Sequence, residues 1–193
     1  MSKAYQIQNI FFAFGVLCKL TVYNGGSVNT LNRAKARVLK IEKNESFDEP
    51  VAVGYAAQMV KKIFIQEGVR EATIRLGDTT INMGGTRRIG VRNPFSDEKE
   101  NFAFLDVSEK SVVTLYRKEL KNTVSGRRSN VESVTLIGSD AVQLCKMCCT
   151  VIGYMLNEAL ALLNKSGFEA IVVTRDEQVF TTSGLFREQP LAA

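Results

Sequence analysis

The chain has 193 residues, of which 45% are hydrophobic and 23% charged, with only 3 prolines. This length and composition are typical of one globular domain with its own core, or of two small domains packed closely together, and they exclude a disordered or collagen-like chain. Histidine is absent, which excludes a Ser-His-Asp triad, a Cys-His pair, a His-ligated zinc and imidazole acid–base catalysis. Any chemistry therefore depends on carboxylates, thiols, lysines or a metal.

The surplus of positive charge is concentrated in one segment. The chain carries 25 Lys and Arg against 20 Asp and Glu, a formal charge of +5. Residues 110–130 hold one acid, Glu119, against these cations: Lys110, Arg117, Lys118, Lys121, Arg127 and Arg128. Such a segment binds phosphate or an acidic partner, or it is a solvated loop, and the sequence leaves both open. Its one aromatic residue is Tyr116 at the start of the basic run, so we expect no nucleic acid partner.

The cysteines indicate the compartment. Cys145, Cys148 and Cys149 are clustered, but no second Cys-x-x-Cys pair accompanies them, so we expect no structural zinc site. Core packing of reduced thiols explains them better than a redox role, and it predicts a cytoplasmic protein. The apolar run 10–17 before Cys18 is too short to cross a membrane. We therefore predict a buried strand there and no membrane association.

The first half of the chain predicts a strand and two helices. Residues 11–23 are rich in Phe, Val, Leu and Thr and end at an Asn-Gly-Gly turn, as a strand does. Residues 28–41 repeat apolar side chains at three- and four-residue steps, which predicts an amphipathic helix. A second helix is expected from its N-cap Asp48 to Glu67, with Gly68 as its stop.

The remaining segments predict strands and one long helix. The strands are expected at 71–76, 79–83, 88–91, 101–107, 111–116, 131–137, 170–174 and 178–182. The longest helix is expected from Asp140 to Asn164, closed by Gly167. Together these elements predict an α+β fold in which helices pack on a mostly antiparallel sheet.

Several segments match, in order, the motifs of one family. Residues 11–18 (F-F-A-F-G-V-L-C) look like an opening strand F-x-x-F-G-T-x-C, and residues 54–57 (G-Y-A-A) look like a helix with G-Y-A-x-D. Residues 88–94 (R-I-G-V-R-N-P) resemble W-x-V-G-I-R-D-P. Residues 133–136 (S-V-T-L) and 145–150 (C-K-M-C-C-T) are similar to S-V-T-V and to A-D-A-L-A-T. The chain therefore resembles the FAD:protein FMN transferases, the ApbE family.

The resemblance implies a single ApbE-like domain over residues 1–193, with a T-fold-related architecture in which an FAD pyrophosphate meets a magnesium ion. It also implies FAD or FMN as ligand and transfer of FMN to a Thr or Ser of a partner flavoprotein. The ligand-binding residues that it implies are Gln58, Lys61, Gly77, Asp78, Lys146 and Thr150. Gly77 and Asp78 match the end of the family's Gly-Gly-Asp strand, whose first glycine is Leu76 here. A homodimer could complete the pocket.

The chain departs from the family at the metal positions. Lys146 stands where A-D-A-L-A-T has its Asp, and Gln58 stands where G-Y-A-x-D has its Asp. Magnesium needs hard oxygen ligands, so the implied magnesium site is in question and no metal ligand is assigned. Lys61 lies one turn beyond Gln58. Either an ammonium group replaces the metal and binds phosphate directly, or the site has decayed and both lysines are solvated.

Other departures affect the pocket. Residues 125–130 lack the His, Asp and Pro of the family's H-I-x-D-P-x-T-G loop, and Thr114–Tyr116 shorten its T-S-G-D-Y turn. Gly54 follows Phe47 almost at once, where the family has an insert that helps enclose FAD. We therefore expect a degenerate active site in a divergent, catalytically impaired member that binds a flavin, a phosphate-bearing ligand or a protein partner. The alternative is an active magnesium-dependent flavin transferase. The sequence assigns no catalytic residue.

Overall fold

The computed structural model describes residues 6–43, 49–96, 100–120 and 129–182. Its strands are β1 (Ile7–Ala13), β2 (Val16–Asn24), β3 (Glu71–Leu76), β4 (Thr79–Met83), β5 (Thr86–Arg92), β6 (Asn101–Ser108), β7 (Ser111–Tyr116), β8 (Val131–Gly138), β9 (Glu169–Thr174) and β10 (Val179–Thr181). Its helices are α1 (Val28–Glu42), α2 (Glu49–Gln66), α3 (Ala141–Val151) and α4 (Leu156–Ser166), with a 3-10 turn at Arg117–Glu119. The predicted α+β class is confirmed. None of the described helices is long and apolar enough to cross a membrane.

The main sheet has eight strands, in the order β1-β2-β3-β4-β7-β8-β9-β10, and β5 and β6 pair as a separate two-stranded ribbon. Neighbouring strands are antiparallel throughout. All four helices contribute to one buried apolar cluster with the sheet, exemplified by Leu31, Phe64 and Leu144 against Leu20 and Ile74. The helices thus share one face of the sheet.

The ribbon covers part of the other face. Val91 and Leu105 of the ribbon pack in a second buried cluster with Val112, Ile137 and Ile171 of the main sheet. Because successive strand residues point to opposite faces, the polar residues that alternate with the core positions of β2 and β3 also lie on this face. The ribbon face therefore combines an apolar part at β7–β9 with a polar part at β2–β4.

Several local predictions are confirmed. Helices α1 and α2 and the hairpins β3–β4 and β9–β10 lie where the sequence patterns place them. Asp140 is the N-cap of α3, as predicted, and its Oδ1 accepts from the backbone N of Val142 at 2.8 Å. Gly68 and Gly167 adopt the left-handed conformation that ends a helix, with φ of 73° and 71°. The expected cap Asp48 lies outside the described residues, as does the segment 121–128 with three of the expected cations.

The predicted single strand at 11–23 is wrong, because a tight turn divides it. Phe14 and Gly15 both have positive φ, 53° and 67°, and Ala13 pairs with Val16 across the turn. A two-residue turn with both φ positive matches the twist of antiparallel strands. The backbone N of Phe14 also donates to the Glu42 side chain at 2.6 Å. Strands β1 and β2 therefore form a hairpin at the edge of the sheet.

The longest predicted helix is also wrong, since it is two helices, α3 and α4. Beyond the end of α3, the carbonyl of Ile152 accepts from Arg117 Nη2 at 3.0 Å and from Ser129 Oγ at 2.8 Å. The backbone N of Leu156, at the start of α4, donates to Asn130 Oδ1 at 2.9 Å. Arg117, Ser129 and Asn130 thus form hydrogen bonds with the backbone groups that are left without helical partners between α3 and α4.

Candidate functional site

A cavity of about 430 Å³ lies on the helix side of the sheet, where the β1–β2 turn, the β3–β4 turn, α2 and α3 meet. We call it the helix-side cavity. Its volume falls within the roughly 300–1,000 Å³ of small-molecule sites. Its apolar walls are formed by Phe14, Val16, Pro50, Val53, Leu76, Val113 and Leu115, and its polar and thiol groups by Glu49, Asp78, Thr79, Thr114, Lys118, Cys145 and Cys148. It combines apolar surface with a few polar groups, as ligand sites do.

The β3–β4 turn is held against the β1–β2 hairpin by Gly77. Its φ is 57°, and a Cβ at this position would stand 3.1 Å from the side chain of Val16. Its backbone N donates to the carbonyl of Leu17 at 3.1 Å. Both the positive φ and the close contact favour glycine. This turn places the next residue, Asp78, at the wall of the cavity.

Asp78 is oriented by an ion pair with Arg92 of β5. Arg92 Nε donates to Asp78 Oδ1 at 3.2 Å, and Arg92 Nη2 contacts Oδ2, so the contact is bidentate. The Arg92 guanidinium also lies over the ring of Tyr116, 4.8 Å from its centroid. A bidentate pair fixes the geometry of a carboxylate more tightly than a single contact. The carboxylate is therefore already engaged by a cation.

Helix α3 presents two thiols to the cavity. Cys145 and Cys148 are almost fully buried, with 1% and 0% exposure. Burial raises the pKa of Cys145 to about 12 and raises that of Cys148 well above its usual value. Both are thiols rather than thiolates at neutral pH, so they are poor nucleophiles and poor metal ligands. All four cysteines lie in the described ranges, and none forms a disulfide.

Helices α2 and α3 cross closely at Gly54. A Cβ there would stand 2.6 Å from Cys145 Sγ and 2.9 Å from the carbonyl O of Ala141. One turn along α2, Gln58 Nε2 lies 3.4 Å from Asp140 Oδ1 and 3.5 Å from the carbonyl O of Ser139. Gln58 therefore links α2 to the N-terminus of α3, and it does not line the cavity.

The structure brings only part of the sequence-predicted site together. Gly77 and Asp78 line the cavity, whereas Lys61 is half-buried on α2 outside it. Lys146 and Thr150 are exposed on the side of α3 opposite Cys145 and Cys148, and Thr150 Oγ1 donates to the Lys146 carbonyl at 2.9 Å. The described helix face at the cavity thus carries thiols rather than lysines.

Sequence reasoning missed Glu49, Lys118 and the two thiols as lining residues. The three-residue spacing of Cys145 and Cys148 is a signal that they share a helix face. Lys118 belongs to the basic segment singled out by its charge; its Nζ lies 3.4 Å from the Pro94 carbonyl. Nothing in the local sequence of Glu49 marks it as a cavity residue.

The described side chains form no all-protein cage for a magnesium ion. No three His, Cys, Asp or Glu side chains among them lie close enough to share a metal. The carboxylates at the cavity are Glu49 and Asp78, and Asp78 is paired with Arg92. Magnesium prefers oxygen ligands in octahedral geometry, and neutral thiols do not supply them.

Comparison with known proteins supports the family resemblance. No family model matches the sequence. A curated relative, FAD:protein FMN transferase from Klebsiella pneumoniae (strain 342), is 26% identical over 69% of this chain and 46% of its own length. The chain thus spans about half the length of the curated relative it matches.

Solved structures of ApbE proteins share the fold. The apo form of the Pseudomonas stutzeri flavinyl transferase ApbE matches with a TM-score of 0.74 and 10% identity, covering 95% of this chain and 97% of that chain. The flavin transferase ApbE from Vibrio cholerae matches with a TM-score of 0.71 and 8% identity, covering 93% and 98%. The ApbE protein from Thermotoga maritima matches with a TM-score of 0.69 and 13% identity, covering 93% and 97%. The predicted resemblance is confirmed, and the chain is ApbE-like in sequence and in architecture.

Proposed function

We propose that this protein binds a flavin nucleotide in the helix-side cavity and is impaired in metal-dependent transfer of FMN. The observation that carries the proposal is the composition of the cavity wall. The β3–β4 turn keeps Gly77 and Asp78 in place, while the wall contributed by α3 consists of the protonated thiols Cys145 and Cys148.

The helix-side cavity suits the two parts of a flavin nucleotide. A planar apolar ring system fits between side chains such as Val53, Leu76 and Val113, which bury apolar surface. The hydroxyl of Thr79 supplies a hydrogen bond for a polyhydroxylated chain. Lys118, exposed at the edge, supplies a positive charge for a phosphate.

The same residues argue against efficient phosphoryl transfer. The transition state of that reaction spreads negative charge over phosphoryl oxygens, and preorganised cations or metals must stabilise it. Asp78 is engaged by Arg92, and the thiols remain neutral. Lys118 is the lysine among the described lining residues, and an exposed lysine gives weaker stabilisation than a buried charge.

The second candidate is an active magnesium-dependent transferase that attaches FMN to a Thr or Ser of a flavoprotein. The similarity to the curated FAD:protein FMN transferase favours it. Under either candidate we propose a cytoplasmic location, because buried thiols stay reduced there.

Flavin binding is tested by calorimetric titration of the full chain with FMN and with FAD. Val53→Phe fills the cavity from α2 and should weaken flavin binding at least about tenfold, since a lining residue then overlaps the ligand. The matched control is Ile65→Phe, on the exposed side of the same helix, which should bind as the wild type does. Absence of flavin binding by the wild type would overturn the proposal, as would equal losses in both variants.

Transfer is tested separately by incubation with FAD, magnesium and a flavin-acceptor protein. We expect no covalent FMN on the acceptor after denaturing electrophoresis. A fluorescent acceptor band would overturn the proposed impairment and would establish the active transferase instead.

A further inference from the structure

A second cavity, of about 300 Å³, lies on the other face of the sheet, between β2–β4, β7 and the ribbon strand β5. We call it the ribbon-side cavity. Four cations line it, Lys19, Arg75, Arg87 and Arg88, against one carboxylate, that of Asp78. Neither the sequence motifs nor the proposed flavin site accounts for this concentration of charge.

Two of these cations are direct neighbours across the strands. Lys19 of β2 and Arg75 of β3 form a cross-strand pair in the antiparallel register. Residues directly opposite have Cβ atoms about 4.5–5.5 Å apart, and like charges in this position are destabilising. The pair therefore costs stability in the ligand-free protein, and a bound anion would offset that cost.

The carboxylates nearby do not neutralise the Lys19–Arg75 pair. Asp78 is engaged by Arg92, and Arg87 is paired with Glu71. Within the described ranges, neither Lys19 nor Arg75 has an ion pair, and the Arg75 Nε donates to the Gly77 carbonyl at 3.2 Å. The positive charge of the pair remains directed to the cavity and to solvent.

Unsatisfied polar groups lie beside the pair. Thr73 Oγ1 and Arg87 Nε are buried and have no hydrogen-bond partner among the described residues. Thr73 is the cross-strand neighbour of Thr21, and both line the cavity one step along the strands from Lys19 and Arg75. Buried donors without partners are rare and call for an occupant.

We propose that the ribbon-side cavity binds a small phosphorylated anion. The Arg75 guanidinium and the Lys19 ammonium supply the charge, and the hydroxyls of Thr21 and Thr73 donate to phosphoryl oxygens. A cavity of this volume, closed on one side by the ribbon, suits one phosphate-bearing small molecule and not a nucleic acid chain. The argument for this site does not depend on flavin binding in the helix-side cavity.

The probe is inorganic pyrophosphate, titrated by calorimetry into the full chain at low ionic strength. We expect saturable binding with one site per chain that weakens as salt is added. Lys19→Gln and Arg75→Gln should each weaken it about two- to fivefold, since each removes one exposed charge from the site. Thr73→Val removes the hydroxyl at nearly constant shape and should also weaken binding.

Two control variants separate this site from other charge effects. Lys62→Gln removes an exposed cation of α2, and Lys40→Gln removes an exposed cation of α1, both outside the two cavities. Both should bind pyrophosphate as the wild type does. Lack of saturable binding by the wild type, or a loss in Lys62→Gln or Lys40→Gln as large as that in Lys19→Gln, would overturn the inference.

The melting temperature gives a second readout. It should stay the same or rise in a variant whose pyrophosphate affinity falls. Because the cross-strand repulsion disappears, Lys19→Gln without ligand should melt at the same temperature as the wild type or above it. A folded Lys19→Gln variant that still binds pyrophosphate fully would also overturn the inference. Flavin titration of the same variant should match the wild type, so failure of one proposal leaves the other distinguishable.

Discussion

Gly54 of α2 and Cys145 of α3 are packed so closely that a Cβ on the glycine would stand 2.6 Å from the thiol sulfur. The carbonyl O of Ala141 would lie 2.9 Å from the same Cβ, so both a side chain and a backbone atom occupy the space. This contact sets the separation of the two helices. It also fixes the thiol side of the helix-side cavity.

Gly54→Ala should therefore destabilise the protein by about 1–3 kcal/mol, the usual cost of overpacking. Urea unfolding would measure the change in the free energy of unfolding. Adding Cys145→Ala to this variant should restore only part of the lost stability, because the Ala141 carbonyl remains close to the new Cβ. Gln66→Ala, on the exposed side of α2, is the control and should change stability little. Full rescue by Cys145→Ala would contradict the backbone contact.

The buried thiols should make the protein less stable at alkaline pH. The pKa of Cys18 is raised to about 11 and that of Cys145 to about 12, both by burial. An unfolded thiol ionises near pH 8.5, so the stabilisation is complete below that pH and is lost as the pH rises toward the folded pKa. Urea unfolding at a series of pH values from 7.5 to about 10 should show this decline.

Removing one thiol tests whether the buried cysteines cause the loss of stability at alkaline pH. Cys145→Val should flatten the decline of the unfolding free energy, whereas Cys149→Ser, at the half-buried cysteine, is expected to change it less. A decline of equal steepness in Cys145→Val and wild type would show that other groups cause it.

Arg117 should stabilise the junction between α3 and α4. Its guanidinium donates to the Val131 carbonyl at 2.9 Å and to the Ile152 carbonyl at 3.0 Å. Arg117→Met should cost about 1–3 kcal/mol, because two partly buried carbonyls lose a charged donor. Arg70→Met removes an exposed cation and should be neutral within about 0.5 kcal/mol.

Hydrogen exchange locates the effect of Arg117→Met. Amides in the last turn of α3 should exchange faster in the variant, while those of α1 stay as in the wild type. Uniform acceleration across both helices would indicate global destabilisation alone.

Lys118, and not Lys146, should contribute to flavin affinity. Lys118 lines the helix-side cavity, whereas Lys146 is exposed on the far side of α3. Lys118→Gln should weaken FMN binding about two- to fivefold, the effect of one exposed charge. Lys146→Gln should leave the affinity unchanged when both variants are titrated with FMN by calorimetry. The reverse result would mean that the ligand lies against the lysine side of α3.

The elements that follow from local chemistry were predictable from the sequence. Ser27 is the N-cap of helix α1, and its Oγ accepts from the backbone N of Thr30 at 3.2 Å. Helix α2 is followed by Gly68 in the left-handed conformation. The division of the longest predicted helix was not predictable. Its cause is hydrogen bonding to Arg117 and Ser129, which are distant from the break in sequence.

The candidate site was predictable only where a turn determines it. Gly77 and Asp78 lie at the cavity because a tight turn places them there. On α3, however, Lys146 follows Cys145 directly, and successive helix residues emerge about 100° apart. Cys145 therefore lies at the cavity wall and Lys146 on the solvent face. Matching the sequence to a family motif does not show which of two adjacent residues faces the cavity.

Asp78 and Thr114 line both cavities, one on each side of the sheet. A single layer of backbone thus separates the two spaces, and these two residues belong to its shared wall. Substituting Asp78, which lies in the β3–β4 turn, would perturb both binding equilibria together, so it could not assign a phenotype to one ligand. Any energetic coupling through this wall must also be reciprocal: if occupation of one space strengthens binding in the other, the converse holds by the same factor.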